Sequence, residues 1–278
     1  MKFQYLGTAA AEGIPAFVCN CDACVRSREI GGRALRTRSQ AIIDDKLLID
    51  FPADTMAHIH ANKIDLIKVS DCIVTHSHYD HLHPIDLNNF KPGFANFPEG
   101  WHMTFHGSEK VGEAIAPQLE GKLTELNIVS FEALEAFVPT NVSGYTVTPL
   151  KAIHDPKAGP FFYQIFDGEK TVVYGNDTGY LDESVWEYWE KTKPHFDMVS
   201  LDCTFACKPV STCKVHMSLD ENLQVRDRML EMGLADENTV FVSHHFSHNG
   251  YNVVYDEFVP IAAKEGFLTS YDGMILNI

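Results

Sequence analysis

Short apolar runs alternate with polar or glycine-containing breaks along most of this chain. Strand-like runs rich in β-branched and aromatic residues fall at 3–8, 41–43, 47–50, 72–75, 103–106, 127–131, 145–150, 161–166, 171–174, 198–202 and 240–243. Asp44-Asp45 separates the second run from the third, and Asp167-Gly168 separates the eighth from the ninth. Both pairs predict hairpin turns, because these residue types tolerate positive φ. Apolar positions recur at helical spacing over 53–62, 109–119, 181–191, 219–232 and 253–264. Ser218 followed three residues later by Glu221 is a capping-box signal, and Gly233 is a helix stop.

The early strands come in hairpins and the later ones alternate with helices. That mixture predicts an α/β fold of two mixed sheets packed face to face, with helices on the outer faces. No repeat, low-complexity tract or linker interrupts the pattern, so one domain is expected over 1–278. Residues 88–101 fit neither period, with Phe90, Phe94, Phe97 and Trp101 set among Pro and Gly. Such a loop either docks its aromatics on the core or walls a substrate site, and docking is the expectation.

The densest chemistry lies in Thr75-His76-Ser77-His78-Tyr79-Asp80-His81, directly after an apolar strand. Four imidazole and carboxylate groups at this spacing point to metal binding. Alternate residues leaving a strand share a face, so His76 and His78 aim to one side. Asp80 and His81 turn toward a second position. Other candidate ligands also sit at or just past strands: Asp50, His154, Asp177, His244 and His245. Loops leaving one edge of a sheet can meet at a single site. The set suits two cations, with His76, His78 and His154 on one and Asp80, His81 and His245 on the other. The Asp177 carboxylate can reach both. Two cations about 3.5–4 Å apart can share a hydroxide and stabilise attacking and leaving oxygens, which is hydrolytic machinery.

Cys19, Cys21 and Cys24 form a tight Cys-x-Cys-x-x-Cys group that needs a fourth ligand to complete a tetrahedral zinc site. His248, three residues after His245, can supply it. Cys72 and Cys203 are expected in the core, while Cys207 and Cys213 have no assigned role.

Composition narrows the function. A hydrophobic content of 45% with 22% charged residues is that of a globular enzyme rather than a disordered chain. A formal charge of −16 argues against charge-driven nucleic-acid binding. It leaves a phosphate-bearing substrate open, since bound cations would supply positive charge locally. No apolar run reaches membrane-span length, and no signal peptide precedes the first strand, so a cytoplasmic protein with reduced thiols is expected.

His76-x-His78-x-Asp80-His81, with His154, Asp177 and His245, resembles the metallo-β-lactamase superfamily over essentially the whole chain. Within it, the chain is similar to the phosphoribosyl 1,2-cyclic phosphate phosphodiesterases, accessory hydrolases of the carbon–phosphorus lyase pathway. Cys19-x-Cys21-x-x-Cys24, Asp177-Thr178-Gly179, Leu201-Asp202-Cys203, His216, His245-x-x-His248 and Asp272-Gly273-Met274 carry that similarity. The resemblance implies an αββα sandwich, two catalytic divalent metals (manganese or zinc, with iron admissible) and one structural zinc. It makes Asp80 and His216 the catalytic candidates, His216 as the acid that protonates the leaving alkoxide. The family has one histidine where this chain has two; His245 is chosen because it keeps the three-residue step to His248.

The leading expectation is therefore a metal-dependent phosphodiesterase for a small phosphate ester, cyclic esters included, with a homodimer compatible and no nucleic acid or membrane partner. A thioester or lactone hydrolase of the same fold is the alternative. The N-terminal residues 7–21 are equally similar to pyrroloquinoline quinone biosynthesis protein B, a cofactor-biosynthesis branch that typically lacks the full histidine motif. Lys157, Lys208 and Lys214 lie near key residues and could hold a substrate phosphate.

Overall fold

Side chains alternate across each strand, and here both faces are apolar. The computed structural model describes residues 1–208, 214–251 and 253–278. The first sheet contains β1 (Lys2–Gly7), β2 (Gln40–Ile43), β3 (Leu47–Ile49), β4 (Asp71–Ile73), β5 (Met103–Gly107) and β6 (Val129–Ala133). The second contains β7 (Thr140–Val142), β8 (Tyr145–Lys151), β9 (Phe161–Phe166), β10 (Thr171–Gly175), β11 (Met198–Asp202), β12 (Val240–His244) and β13 (Phe267–Thr269). β14 (Ile275–Asn277) returns to the first sheet, giving the orders β14-β1-β2-β3-β4-β5-β6 and β13-β12-β11-β10-β9-β8-β7.

Phe3, Tyr5, Ile43 and Ile49 of one sheet meet Val147, Tyr163, Val172 and Met198 of the other in a shared core layer. Their neighbours Leu6, Ile42 and Leu48 face outward and are covered by Val111 and Ile115. On the second sheet, Val173, Val199 and Leu201 face outward beneath Trp186, Trp189, Val225, Met229 and Phe258. Burial on both faces explains the near-continuous apolar runs. The covering helices are α1 (Asp22–Ile30), α2 (Thr55–Asn62), α3 (Glu109–Leu119), α4 (Lys122–Glu125), α5 (Glu183–Thr192), α6 (Leu219–Glu231) and α7 (Tyr255–Lys264). The result is the expected αββα sandwich.

Asp44 and Asp45 both take positive φ between β2 and β3, as the hairpin reading requires. Three short strands, β7, β13 and β14, were not expected, since three residues carry too little period to register. The cysteine group is also not wholly a loop: Cys24 lies inside α1, whose low apolar content hid it. The aromatic segment docks as expected. Phe90, Phe97 and Trp101 pack on the outer core of the first sheet, Trp101 Nε1 donates to the Ile67 carbonyl, and only Phe94 stands free at 76% exposed. Cys72 and Cys203 are fully buried, and Cys213 lies outside the described residues. Among the described residues no helix is long and apolar enough to cross a membrane.

Candidate metal centre and active site

β3 to β6 run parallel in the first sheet, and β10, β11 and β12 run parallel in the second, with β8 in the same sense. The loops leaving these strands therefore emerge at one end of the sandwich. After β4 the chain turns tightly, with His81 N–H and Leu82 N–H both donating to the His78 carbonyl. This turn presents His76, His78, Asp80 and His81 together. β8 delivers His154, β10 delivers Asp177, β11 delivers Asp202 and β12 ends beside His245. Two bonds clamp the sheets at this point: Tyr163 Oη donates to the Val74 carbonyl at 2.6 Å and Phe161 N–H to the Thr75 carbonyl at 2.8 Å.

The side chains converge in two groups. His76 Nε2 and His154 Nε2 lie 3.0 and 3.2 Å from His78 Nδ1. In the second group His81 Nε2 is 3.3 Å from Asp80 Oδ2, and His245 Nε2 is 2.6 Å from Asp177 Oδ1. Asp177 Oδ2 stands between the groups, 3.4 Å from His81 Nε2, 3.8 Å from His154 Nε2 and 3.9 Å from His76 Nε2. Nitrogens each about 2.0–2.1 Å from one zinc sit a little over 3 Å apart, so the spacing fits a shared cation. His81 Nε2, His245 Nε2 and Asp177 Oδ1 are buried and close to one another, yet none of them is aligned for a hydrogen bond. Orphaned donor and acceptor atoms facing one another in this way are costly unless something joins them. The residues fit divalent metal.

Protonation agrees. Burial lowers the pKa of His76 and His154, keeping both imidazoles neutral. Burial opposes the charge on Asp177, but His245 and His81 outweigh it and hold the carboxyl well below its usual range. Asp80 is likewise depressed against burial, by His81. Neutral His76 and His154 and ionised Asp80 and Asp177 are in the forms a metal binds, whereas the carboxylates around His81 raise its pKa, so a cation there would displace that proton.

Several residues orient these ligands. Asp50 was a candidate ligand by sequence but joins neither group: it is fully buried behind His81, 2.7 Å from Nδ1, and also accepts from Thr75 N–H at 2.7 Å. Thr204 Oγ1 lies 2.9 Å from His245 Nδ1. Asp155 Oδ2 is 3.6 Å from His78 Nε2, so His78 faces the group through Nδ1. Each arrangement fixes which ring nitrogen faces inward. The two adjacent histidines part completely. His244 is buried between Tyr174 Oη and Ser270 Oγ, while His245 enters the site.

His216 stands at the lip, its Nδ1 2.8 Å from Asp202 Oδ2, its ring 5.1 Å from that of His154 and stacked 5.7 Å from that of His245. Asp202 also accepts from Thr204 N–H and Met217 N–H, so its carboxylate is pinned. Asp50, Asp155, Asp202 and Thr204 had no orienting role in the sequence reading. A carboxylate at a strand end beside a ligand histidine was the available signal.

A cleft of about 400 Å³ opens over both groups, lined by His78, Tyr79, Asp80, His154, Asp177 and His245 together with Glu12, Thr204, Phe205, His216, Ser247 and Asn249. Although Lys208 Nζ lies 5.4 Å from the centre of the lining Phe205 ring, Lys157, Lys208 and Lys214 do not line it. Nor does any residue of the 88–101 loop.

A third group stands apart. Cys19 Sγ and Cys21 Sγ lie 3.5 and 3.4 Å from His248 Nδ1, and Cys24 joins them. The Cys21 N–H lowers the Cys19 thiol pKa, while burial pushes Cys24 up to about 12.

A family model described as the Beta-lactamase superfamily domain matches residues 47–244. The chain belongs to the metallo-β-lactamase superfamily. Its fold is shared with a diphosphatase from the PhnP family, at 19% identity, 99% of this chain, 97% of that one and a TM-score of 0.73. Zinc-bound PqqB from Methylobacterium extorquens matches at 16% identity, with all of both chains covered and a TM-score of 0.70. Human tRNase Z, short form, matches at 13% identity, 100% and 99% coverage and a TM-score of 0.67. No curated protein matches the sequence. Similarity at these identities is a likeness of superfamily fold.

Proposed function

We propose that this chain is a metal-dependent phosphodiesterase for a small phosphate ester, with phosphoribosyl 1,2-cyclic phosphate as the example its resemblance suggests. The observation that carries the reading is the position of Asp177 between two ligand groups, with His216 on Asp202 at the edge of the same cleft. His76, His78 and His154 would hold one divalent cation, and Asp80, His81 and His245 the other, with Asp177 reaching both. Manganese and zinc both suit such ligands. Cations bound there would acidify water and neutralise charge on the phosphoryl oxygens.

The chain's own residues supply the rest. Asp202 accepts the Nδ1 proton of His216, which leaves Nε2 to carry the proton given to the departing oxygen as the P–O bond breaks. The orientation is set before substrate arrives, because two backbone N–H groups fix Asp202. A PhnP-family diphosphatase among the structural neighbours favours phosphoryl over acyl transfer. We assign Cys19, Cys21, Cys24 and His248 to a structural zinc.

Elemental analysis paired with turnover of bis(p-nitrophenyl) phosphate after manganese loading tests this. About three metals per chain are expected, two in the cleft and one on the cysteines, with manganese-dependent hydrolysis. One tightly held zinc and no turnover after loading would overturn the proposal.

A further inference from the structure

A line of polar side chains runs from the C-terminal loop to the backbone of Asp50. Asp272 lies between β13 and β14, Thr37 just before β2, His58 on α2 and Gln40 on β2. Thr37 Oγ1 is 2.6 Å from Asp272 Oδ2 and 2.7 Å from His58 Nε2. On the other side of the ring, His58 Nδ1 is 2.6 Å from Gln40 Oε1. Gln40 Nε2 in turn donates to the Asp50 carbonyl at 2.9 Å. Asp50 is the carboxylate that anchors Thr75 and His81. His58, Gln40 and Asp50 are all buried.

Counting hydrogens along this line shows that one more is needed. The Asp50 carbonyl can only accept, so the Gln40 nitrogen faces it and Gln40 Oε1 faces His58. Thr55 fixes the same amide direction, because its hydroxyl donates to the Pro52 carbonyl and accepts from Gln40 Nε2 at 3.0 Å. His58 Nδ1 must therefore carry a hydrogen. Thr37 has one hydroxyl hydrogen for two neighbours, Asp272 Oδ2 and His58 Nε2. Were Asp272 ionised and Nε2 bare, both neighbours would be acceptors, and one of the short contacts would lack a hydrogen. Closing both takes one further proton, on Asp272 or on Nε2. Thr8 Oγ1 accepts from Arg36 Nη1 at 2.8 Å and donates to Asp272 Oδ1 at 2.6 Å, so an acid proton would sit on Oδ2, facing Thr37.

We infer that Asp272 and His58 hold one proton in common through Thr37, and that this proton makes the line a pH-sensitive tie on the segment carrying Asp50. Two seats satisfy the count: a neutral Asp272 acid donating to Thr37, or a His58 imidazolium. Burial favours the first. It raises the Asp272 carboxyl against the pull of Thr37, Thr8 and Arg36, and it lowers His58 to about 4 against Asp54. Around the pair, Asp54 at the start of α2 is bound to Arg38 at 3.0 Å, and Arg36 faces Tyr255 of α7 and the buried Cys203. Glu12 lines the same pocket as Asp272, and β1 presents Gly7 to the His58 ring.

The sign follows from the unfolded chain, where His58 binds a proton below about pH 6.5 and Asp272 below about pH 3.9. Between those values folded and unfolded chains each hold one proton, and the pair leaves stability level. Above about pH 6.5 the unfolded chain holds none while the folded chain keeps one, so stability falls as pH rises.

Thermal unfolding of the metal-loaded full chain tests the tie. Between about pH 6.5 and about pH 8.5, wild type should lose about 3 °C more in Tm than His58→Asn, the size of about one pH unit of linkage in a chain this long. Asparagine keeps a donor for Gln40 Oε1 and presents nothing to Thr37. Thr37→Val should flatten the profile in the same way, and Thr37→Ser, which keeps the hydroxyl, should restore the wild-type slope. A merely structural side chain would shift Tm equally at both pH values. The proton itself is read near neutral pH: the infrared carbonyl band of a protonated carboxylic acid should be present in wild type and lost in Asp272→Asn. A His58 imidazolium in the nitrogen NMR spectrum would support the shared proton from its other seat. Equal slopes in wild type, His58→Asn and Thr37→Val would overturn the inference, as would a bare Nε2 with no such band.

Discussion

His81 Nδ1 and Asp50 Oδ2 lie 2.7 Å apart, with both side chains wholly buried. Asp50 also accepts from Thr75 N–H and Oγ1, at 2.7 and 2.9 Å. One carboxylate therefore sets the entry of the histidine-rich turn and the ring of its last ligand. Burial opposes charge on His81, yet Asp177, Asp50 and Asp80 outweigh it and raise its pKa. Such a cluster of facing carboxylates and imidazole is what a bound cation would join.

Replacing Asp50 by Asn should weaken metal binding while preserving shape. Thr75 N–H and His81 Nδ1 meet different oxygens of Asp50, and a carboxamide would put a donor NH2 in place of one of them. Loss of a partner behind a ligand histidine costs about 10–100-fold in metal affinity. Chelator competition followed by elemental analysis should show that loss, with the circular dichroism of the fold retained. Unchanged affinity would show that the turn alone orients His81.

The strands of both sheets and the ligand-bearing turn were legible because apolar runs and clustered histidines are local signals. His76 to His81 could be grouped from six residues of sequence. The choice of His245 over His244 is decided by β12, where His244 is still in the strand and points between the sheets onto Tyr5 and Tyr174. No local pattern separates two adjacent histidines. Asp50, Asp202 and Asp155 act through partners 31, 14 and 77 residues away (His81, His216 and His78), a distance only the fold closes. α1 went unseen because its buried face is only Ala23, Cys24 and Ser27, which leaves almost no apolar stripe.

His216 should matter in proportion to how badly the leaving group needs a proton. His216→Ala should retain wild-type metal content and lose about 10²–10⁴-fold in kcat on an ester with an alkoxide leaving group. p-Nitrophenolate departs without protonation, so bis(p-nitrophenyl) phosphate should lose about tenfold or less. Equal losses on the two substrates would remove His216 from proton transfer and leave it a positioning residue.

Gly179 lets two functional loops touch. A Cβ at this position would lie 1.8 Å from the Lys214 carbonyl oxygen, two residues before His216. Its N–H meanwhile donates to the Ile153 carbonyl at 3.0 Å, beside His154, so the glycine backbone cannot easily withdraw. Gly179→Ala should therefore displace the segment carrying His216. A shift of about 1 Å in a catalytic group can cost about 100-fold, and kcat should fall by about that order while bound metal persists. Steady-state kinetics with metal analysis checks this; wild-type kcat would show that the 214–216 segment yields freely.

Glu221 links stability to pH. It is 5% exposed at the start of α6 and accepts the Ser218 N–H at 3.0 Å. Burial, with the Asp202 charge adding to it, pushes its pKa up from 4.5 to about 7. A carboxyl raised on folding stabilises the fold fully below its unfolded value near 4.5, and that contribution is lost as pH climbs through 7. Glu221→Gln never ionises and still offers an oxygen to Ser218. The variant should match wild type at pH 4.5 and exceed it at pH 8. Allowing for partial hydration of the site, the gain should be about 1 kcal/mol, or about 2 °C in Tm for a chain of this size. Thermal unfolding at the two pH values measures it. A variant no more stable than wild type at pH 8 would mean that Glu221 ionises without cost, its charge met by the open end of α6.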